Sequence, residues 1–189
     1  MDARQKRARV SVGAGQVSKK AAIKNVETLL DANSFEAGQI TKKHPLTLSV
    51  DHSKPLRKLV AAGRYTGFSR GLLGAPRPAK KGRLEYEARV FHFDQIISSA
   101  QAKRKIQQAD KHRPWKVAPV EQLVALGNLL PHLQRQFPIV ALGTVFKKGP
   151  VPQVACLHHG DGAKRYIVLR WIGDDWCGDF AFLAIRPKN

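Results

Sequence analysis

The sequence predicts an α+β fold in which N-terminal helices and a basic loop precede a C-terminal four-stranded antiparallel meander. Three observations lead to this class. Stretches before residue 137 carry apolar residues at helical spacing, and four short apolar runs follow it, separated by turn signals. The chain has 189 residues, 43% of them hydrophobic, which suits one globular domain with extensions.

The N-terminal part begins with a segment that we do not expect to fold alone. Residues 1–16 are basic and contain Gly and Ser, so we predict a flexible basic arm. Residues 17–189 are predicted to form a single α+β domain. Within it, residues 21–33 have the apolar face of a short helix, and residues 45–50 have the composition of a strand.

A second helix and a long basic loop follow. Ser53 is the predicted N-cap of this helix, Pro55 lies in its first turn, and Gly63 ends it. The next stretch, residues 66–83, has four Gly, two Pro and five basic residues and shows no periodicity. Loops of this length are usually functional or disordered.

The middle of the chain combines one strand with two helices. Residues 84–93 are predicted to be a strand. Asp94 is the predicted cap of a helix over residues 95–113, whose second half is basic. A further helix begins at Pro119 and is broken near Pro131.

The C-terminal sheet is predicted from residues 137–189. Its turn signals are "KKGP", "GDG" and "GDD". We expect the earlier strands at 45–50 and 84–93 to extend this sheet. The four apolar runs that make the meander are residues 138–146, 151–159, 164–172 and 176–186.

The turns at residues 161–162 and 174–175 set the predicted register of this sheet, because a two-residue turn fixes which residues face each other. The register pairs Cys156 with Ile167. We interpret one polar row across the strands as a cross-strand ion pair with two polar neighbours, and the alternative is a polar binding site. The row consists of Thr144, Gln153, Arg170 and Asp179.

Charge is the strongest signal in the composition. Lys plus Arg is 33 against 14 for Asp plus Glu, a formal net charge of +19 with a pI near 10.5. Residues 1–83 hold 18 basic and 5 acidic side chains, a net +13. A polyanionic partner would supply the missing counter-charge, and nucleic acid is the commonest one.

The sequence contains no apolar run of membrane-spanning length and no secretory signal. Its two cysteines, Cys156 and Cys177, provide no disulfide framework, and the register places them on opposite faces. We therefore expect an intracellular, cytoplasmic protein that does not engage a membrane.

Gly173-Asp174-Asp175 resembles the metal-binding hairpin of polymerase palm domains. Two-metal chemistry requires further converging carboxylates, and the chain supplies neither a matching neighbouring strand nor the segments that would hold a template. Because Asp is common in turns, we predict a turn here.

The stretch "CLHHGDG" over residues 156–162 is the other candidate for chemistry. Adjacent histidines point to opposite faces of a strand, and Cys156 with His158 gives only two zinc ligands on a predicted core face. We interpret His159 as part of a solvated hairpin end. No phosphate loop or nucleophile elbow is present, so we expect no catalytic site, no metal site and no cofactor.

Three basic groups are the predicted contacts to nucleic acid. Their cations would neutralise phosphates, and the aromatic residues among them could stack on unpaired bases. The alternative for each group is a solvated surface. The groups are the arm (Arg4, Lys6, Arg7, Arg9, Lys19, Lys20), the loop (Arg64, Tyr65, Phe68, Arg70, Arg77, Lys80, Lys81, Arg83) and the helix (Lys103, Arg104, Lys105, Lys111, Arg113, Trp115).

The sequence therefore predicts a non-catalytic DNA- or RNA-binding protein that contacts phosphates and is a subunit of a larger nucleoprotein complex with other proteins. Two alternatives remain. One is a metal-dependent nuclease or other phosphoryl-transfer enzyme that uses His159, Asp161 or the group Asp174, Asp175 and Asp179. The other is an adaptor or inhibitor whose acidic partner is a protein.

Overall fold

A computed structural model describes residues 46–76, 78–79, 81–147 and 150–188. The predicted arm and the predicted helix over residues 21–33 lie outside these ranges. The described residues contain the helices α1 (Leu56–Ala62), α2 (Ser99–Gln108) and α3 (Val120–Leu129). Two short 3-10 segments cover Arg70–Gly74 and Leu133–Arg135.

Ten strands accompany these helices in the described residues. They are β1 (Leu46–Asp51), β2 (Gly67–Phe68), β3 (Arg83–His92), β4 (Ile97–Ser98), β5 (Lys116–Val117), β6 (Ile139–Phe146), β7 (Gln153–His159), β8 (Arg165–Trp171), β9 (Asp175–Trp176) and β10 (Ala181–Pro187).

The main sheet has eight strands in the order β1-β3-β10-β6-β7-β8-β2, with β5 paired to β10 beside β6. The predicted four-stranded antiparallel meander is therefore wrong. The sheet is mixed, because β10 runs parallel to β6 and β2 runs parallel to β8. The antiparallel pairs of β6 with β7 and of β7 with β8 are present, and β1 and β3 belong to the same sheet.

The meander fails because the last apolar run is two strands. Asp175–Trp176 forms β9, which pairs with β4 in a separate two-stranded sheet. Trp176 is 1% exposed, so its burial draws the chain away from β8 before β10 begins. A tight turn from Cys177 to Phe180 then leads β10 to a place between β3 and β6.

The predicted polar row is also wrong. Cys156 faces Val168 rather than Ile167, and Arg170 faces Val154 rather than Gln153. The strand on the other side of β8 is β2, so Asp179 does not pair with Arg170. An irregularity in β6 between Ala141 and Val145 shifts the pairing of its second half with β7. A shift of one residue moves side chains to the other face of a strand. Thr144, Gln153, Arg170 and Asp179 consequently share no row.

Both faces of the sheet are covered. One face packs against α2, and the residues of this core are Phe91, Ile97, Ala102, Ile106, Trp115, Val140, Leu142, Val154, Cys156, Trp176, Phe182 and Ala184. Ala141 and Leu157 alternate with these residues and so point to the opposite face. There α3 packs on β1, β6 and β7, and α1 packs on α3.

The start of α2 differs from the prediction. Its N-cap is Ser98, not Asp94: the Ser98 hydroxyl accepts a hydrogen bond from the Gln101 backbone at 3.3 Å. The Gln101 side chain accepts one from the Ser98 backbone at 2.9 Å, which completes a capping box. Residues 95–98 are used instead for a turn and for β4.

Helices α1 and α3 end where expected, whereas α2 ends at Gln108 rather than at the predicted residue 113. Gly63 is the C-cap of α1, and α3 begins after Pro119 and ends before Pro131. Ser53 does not cap α1, because its hydroxyl donates to Asp51 at 2.7 Å. The long loop over 66–83 contains β2 and the first 3-10 segment.

Candidate nucleic-acid interface

Helix α2 presents Lys103, Arg104 and Lys105 on consecutive positions, and we call these residues the α2 basic surface. Ala102 and Ile106 are fully buried beneath them, so the residues between must turn outward. Arg104 and Lys105 are exposed and Lys103 is half-buried. The helix sequence SAQAKRKIQQ contains no acidic residue.

Asp110, which follows α2, shares an arginine with Glu87. Arg186 donates from Nε to Glu87 at 2.6 Å and from Nη1 to Asp110 at 2.8 Å. The hydrogen bond from Arg186 holds the pKa of Glu87 below its usual value, so this carboxylate stays ionised. Among the ion pairs of the described residues, none includes a side chain of the α2 basic surface.

The segment after α2 extends the positive charge. Lys111 and Lys116 are exposed. Arg113 is also exposed, but it contributes to the structure: its Nη2 lies 3.5 Å from a Glu87 oxygen, and its carbonyl accepts from Arg186 at 3.1 Å. Lys111 and Lys116 are thus better placed than Arg113 to contact a ligand.

The predicted stacking residue Trp115 belongs to the core. It is 4% exposed, contacts Phe91 edge-on at 6.1 Å between ring centres, and has Arg186 above its ring at 4.3 Å. A base could stack on Trp115 only if Arg186 moved away and the core opened.

Tyr65 is likewise a packing residue. Its hydroxyl donates to the Val124 carbonyl at 3.4 Å, and Arg165 lies over its ring at 4.5 Å. Burial raises the pKa of Tyr65 to about 12. Both its ring face and its hydroxyl are therefore in use inside the protein.

The remaining loop residues lie away from α2. The 3-10 segment that starts at Arg70 packs on Leu169, which points to the face covered by α3. Arg64 and Arg70 are exposed, and Phe68 is 41% exposed on the edge strand β2. The two described basic groups consequently lie on opposite faces of the sheet and do not form one continuous surface.

Two of the other predicted nucleic-acid contacts lie at the start of β3 or just before it, and the rest fall outside the described residues. Lys81 and Arg83 are exposed, and Arg83 faces Asp51 across β1. Predicted contacts outside the described residues are Arg4, Lys6, Arg7, Arg9, Lys19, Lys20, Arg77 and Lys80.

The candidate catalytic residues do not converge. His159 Nδ1 lies 3.1 Å from the Gln134 carbonyl oxygen. Within the described ranges no group of three or more His, Cys, Asp or Glu residues could hold a metal ion. Cys156 is buried, Cys177 is exposed, and neither forms a disulfide.

The Gly-Asp-Asp stretch follows a turn, but the predicted two-residue turn at Asp174-Asp175 is wrong. The Asp174 amide donates to the Trp171 carbonyl at 3.4 Å, which closes a turn over Ile172 and Gly173. Asp175 is the first residue of β9 and faces Ser98 in β4. The two carboxylates thus belong to different local structures.

A cavity of about 480 Å³ lies at the N-terminal end of α3 and was not predicted from the sequence. The polar residues that line it come from separate segments of the chain, so no local sequence motif predicts that they lie together. The one available signal was Glu121-Gln122, a polar pair in the first turn of a mostly apolar helix. The polar residues that line the cavity are His52, Tyr86, Lys116, Glu121, Gln122 and Thr144.

No described helix has both the length and the apolar composition needed to cross a membrane.

No protein-family model, curated protein or solved structure matches this chain.

Proposed function

We propose that this protein binds nucleic acid without catalysis, through phosphate contacts, as a subunit of a larger nucleoprotein assembly. One observation carries the proposal. The α2 basic surface holds three adjacent cations without an ion-pair partner in the described structure, while the neighbouring Glu87 and Asp110 are occupied by Arg186.

This arrangement suits a polyanion for a physical reason. Adjacent cations on one helix repel each other, and a strand of phosphates relieves that repulsion while it releases its own counterions. The whole chain carries a formal charge of +19, which would draw a polyanion toward any such surface. Lys111 and Lys116 would continue the contact beyond the end of α2.

A binding experiment with two matched variants tests the proposal. The first variant is Lys103→Gln, Arg104→Gln, Lys105→Gln, in which Gln preserves helix propensity. The control is Arg57→Gln, Lys58→Gln, Lys164→Gln, which removes the same charge from exposed positions outside the α2 basic surface. Fluorescence anisotropy would measure the binding of labelled single- and double-stranded DNA and RNA.

We expect the α2 variant to bind about 10- to 100-fold more weakly at physiological salt, and the control to lose less than about threefold. Equal losses in both variants would show that only the overall charge matters. If the wild-type protein bound none of the four nucleic acids, the proposal would be wrong, and a stoichiometric complex with an acidic protein would then be sought.

A further inference from the structure

Trp171 is the one exposed tryptophan of the chain. The sequence has three tryptophans, and the other two, Trp115 and Trp176, are 4% and 1% exposed. Trp171 is the last residue of β8 and is 45% exposed. Among the ring contacts of the described residues, none includes Trp171, whereas Arg186 covers the ring of Trp115. Its ring is therefore accessible to a partner.

The indole of Trp171 lies against the backbone of Gly173, the glycine of the Gly-Asp-Asp stretch. A Cβ added to Gly173 would lie 2.6 Å from Trp171 Cζ2 and 2.7 Å from Cε2, so a side chain at this position would displace the ring. The indole thus has a backbone support on one side. With the residue 45% exposed, another part of the ring is open to solvent.

Trp171 also lies close to the start of α2. The Ser99 hydroxyl donates at 2.6 Å to the carbonyl of Ile172, the residue that follows Trp171. Lys103 lies one helical turn after Ser99, and that turn spans about 6 Å. A single strand of a few nucleotides can therefore contact the α2 basic surface and Trp171 at the same time.

The charges around Trp171 favour a base over a phosphate at the ring. Arg170 is exposed, has its guanidinium 5.6 Å from the centre of the Phe180 ring, and belongs to none of the ion pairs of the described residues. Asp174 and Asp175 follow Trp171, and their carboxylates repel a phosphate placed on the indole. The uncharged base is the part of a nucleotide that this ring accommodates.

We propose that Trp171 stacks on an unpaired base of a single strand whose phosphates contact the α2 basic surface. This inference rests on the proposed function and narrows its ligand to single-stranded DNA or RNA, because the bases of a duplex are already stacked on one another. Stacking on an aromatic ring tolerates any base, since every base has a flat face. We therefore expect this contact to add affinity without a strong sequence preference.

Tryptophan fluorescence of the wild-type full chain tests the inference directly. Acrylamide should quench Trp171 far more than the buried Trp115 and Trp176. A saturating single-stranded oligonucleotide should protect this accessible fluorescence from acrylamide. An abasic strand with the same number of phosphates should bind without that protection, because it has no base to stack. DNA and RNA strands are compared in parallel to identify the preferred ligand.

Affinity measurements on three variants complete the test. Fluorescence anisotropy should show that Trp171→Leu binds single-stranded oligonucleotides about 5- to 100-fold more weakly, with an unchanged salt dependence, because no phosphate contact is lost. Trp171→Phe keeps an aromatic ring and should recover most of the affinity. The control is Phe68→Leu: Phe68 is 41% exposed but lies on β2, beside the start of β8 rather than its end, and we expect less than about a twofold change.

Protection of Trp171 by intact but not abasic strands, together with weaker binding of Trp171→Leu, supports the inference. Protection without a loss of affinity would show that the strand covers Trp171 but does not stack on it, which overturns the inference. If oligonucleotides bind with salt-sensitive affinity while neither measurement changes, the inference is overturned and the proposed function stands. If the wild-type protein binds no nucleic acid, both fail. The quenching experiment uses the wild-type protein, so it decides the question even if Trp171→Leu does not fold.

Discussion

Arg165 joins several parts of the structure through one side chain. Its Nη1 donates to the Gly63 carbonyl at 2.8 Å, its Nη2 to the Gly127 carbonyl, and its Nε to Gln134 at 3.3 Å. The guanidinium also lies over the ring of Tyr65 at 4.5 Å. A count of charges places Arg165 among the surface cations, and no local pattern in the sequence reveals that it is structural.

We expect Arg165→Met to lower the free energy of unfolding by about 2–4 kcal/mol, because the carbonyls of Gly63 and Gly127 lose their donor. Arg170→Met is the matched control. Arg170 is exposed on the same strand, so its replacement should change the free energy by less than about 0.5 kcal/mol. Urea denaturation of both variants measures the difference, and equal effects would contradict the structural role of Arg165.

Tyr65 gives the protein a predicted sensitivity to high pH. Burial disfavours the phenolate and raises the pKa of Tyr65 from its ordinary value of 10.0 to about 12 in the fold. The unfolded chain therefore releases this proton first, so the stabilisation is complete below pH 10 and is lost as the pH rises toward 12. Tyr65→Phe cannot ionise and should lose stability less steeply between these values.

Denaturation curves of wild type and Tyr65→Phe, collected at several pH values from 9 to about 11.5, would measure this difference. The comparison cancels the titration of lysines that both proteins share. Parallel curves for the two proteins would mean that the Tyr65 hydroxyl is not buried in the fold.

At the scale of single elements, the strands and helices with strong local signals were predicted well. The strand β3, the end of α1 at Gly63 and the start of α3 after Pro119 all follow from periodicity and from Gly and Pro positions. The start of α2 was missed, because the apolar pair Ile96 and Ile97 fits a helix and a strand equally. Ile97 and Ser98 form a strand because they pair with β9, and this long-range pairing is not visible in the local sequence.

The observed start of α2 makes a specific prediction. Ser98→Ala removes the side chain that accepts from the Gln101 amide and should cost about 1 kcal/mol of stability. Asp94→Ala removes the cap expected from sequence and should cost less than about 0.5 kcal/mol. Chemical denaturation measures the loss of stability in each variant. A larger loss in Asp94→Ala than in Ser98→Ala would indicate that the helix begins after Asp94, as the sequence predicted.

The insertion of residues 116–118 beside β10 predicts an intolerant glycine. Gly143→Ala should destabilise the protein by about 3 kcal/mol or more, because the new methyl group meets the rigid Ala118 backbone at 2.7 Å. At Gly74 nothing lies within 4 Å of an added Cβ, so Gly74→Ala should be neutral or stabilise by about 0.4–1 kcal/mol. Similar melting temperatures for the two variants would refute the close approach at Gly143.

At the scale of the whole molecule, topology was the part that sequence could not predict. The meander was predicted from four apolar runs separated by turn signals, which place each strand beside the next one in the chain. Here β10 does not pair with β8 but lies between β3 and β6. Its side chains are buried on both faces of the sheet, so it contributes to the core on each side. Pairing of strands so far apart in the chain depends on packing that no local window contains.

The candidate interface was also predicted only in part from the sequence. Charge along the chain identified the basic residues of α2, which the structure leaves without ion pairs in its described part. Burial then reassigned Tyr65 and Trp115 to packing, although their position among basic residues had suggested stacking. The cavity around Gln122 could not be predicted, because the segments that line it meet only through the sheet topology.

The salt dependence of nucleic-acid affinity tests the central claim most directly. The logarithm of the association constant of wild type for single-stranded RNA and DNA is plotted against the logarithm of salt concentration, and the α2 variant is measured beside it. We expect a steep fall for wild type and a slope reduced by about 2 in the variant, since each lost phosphate contact removes about 0.7. Flat plots, or identical slopes for the two proteins, would contradict the account.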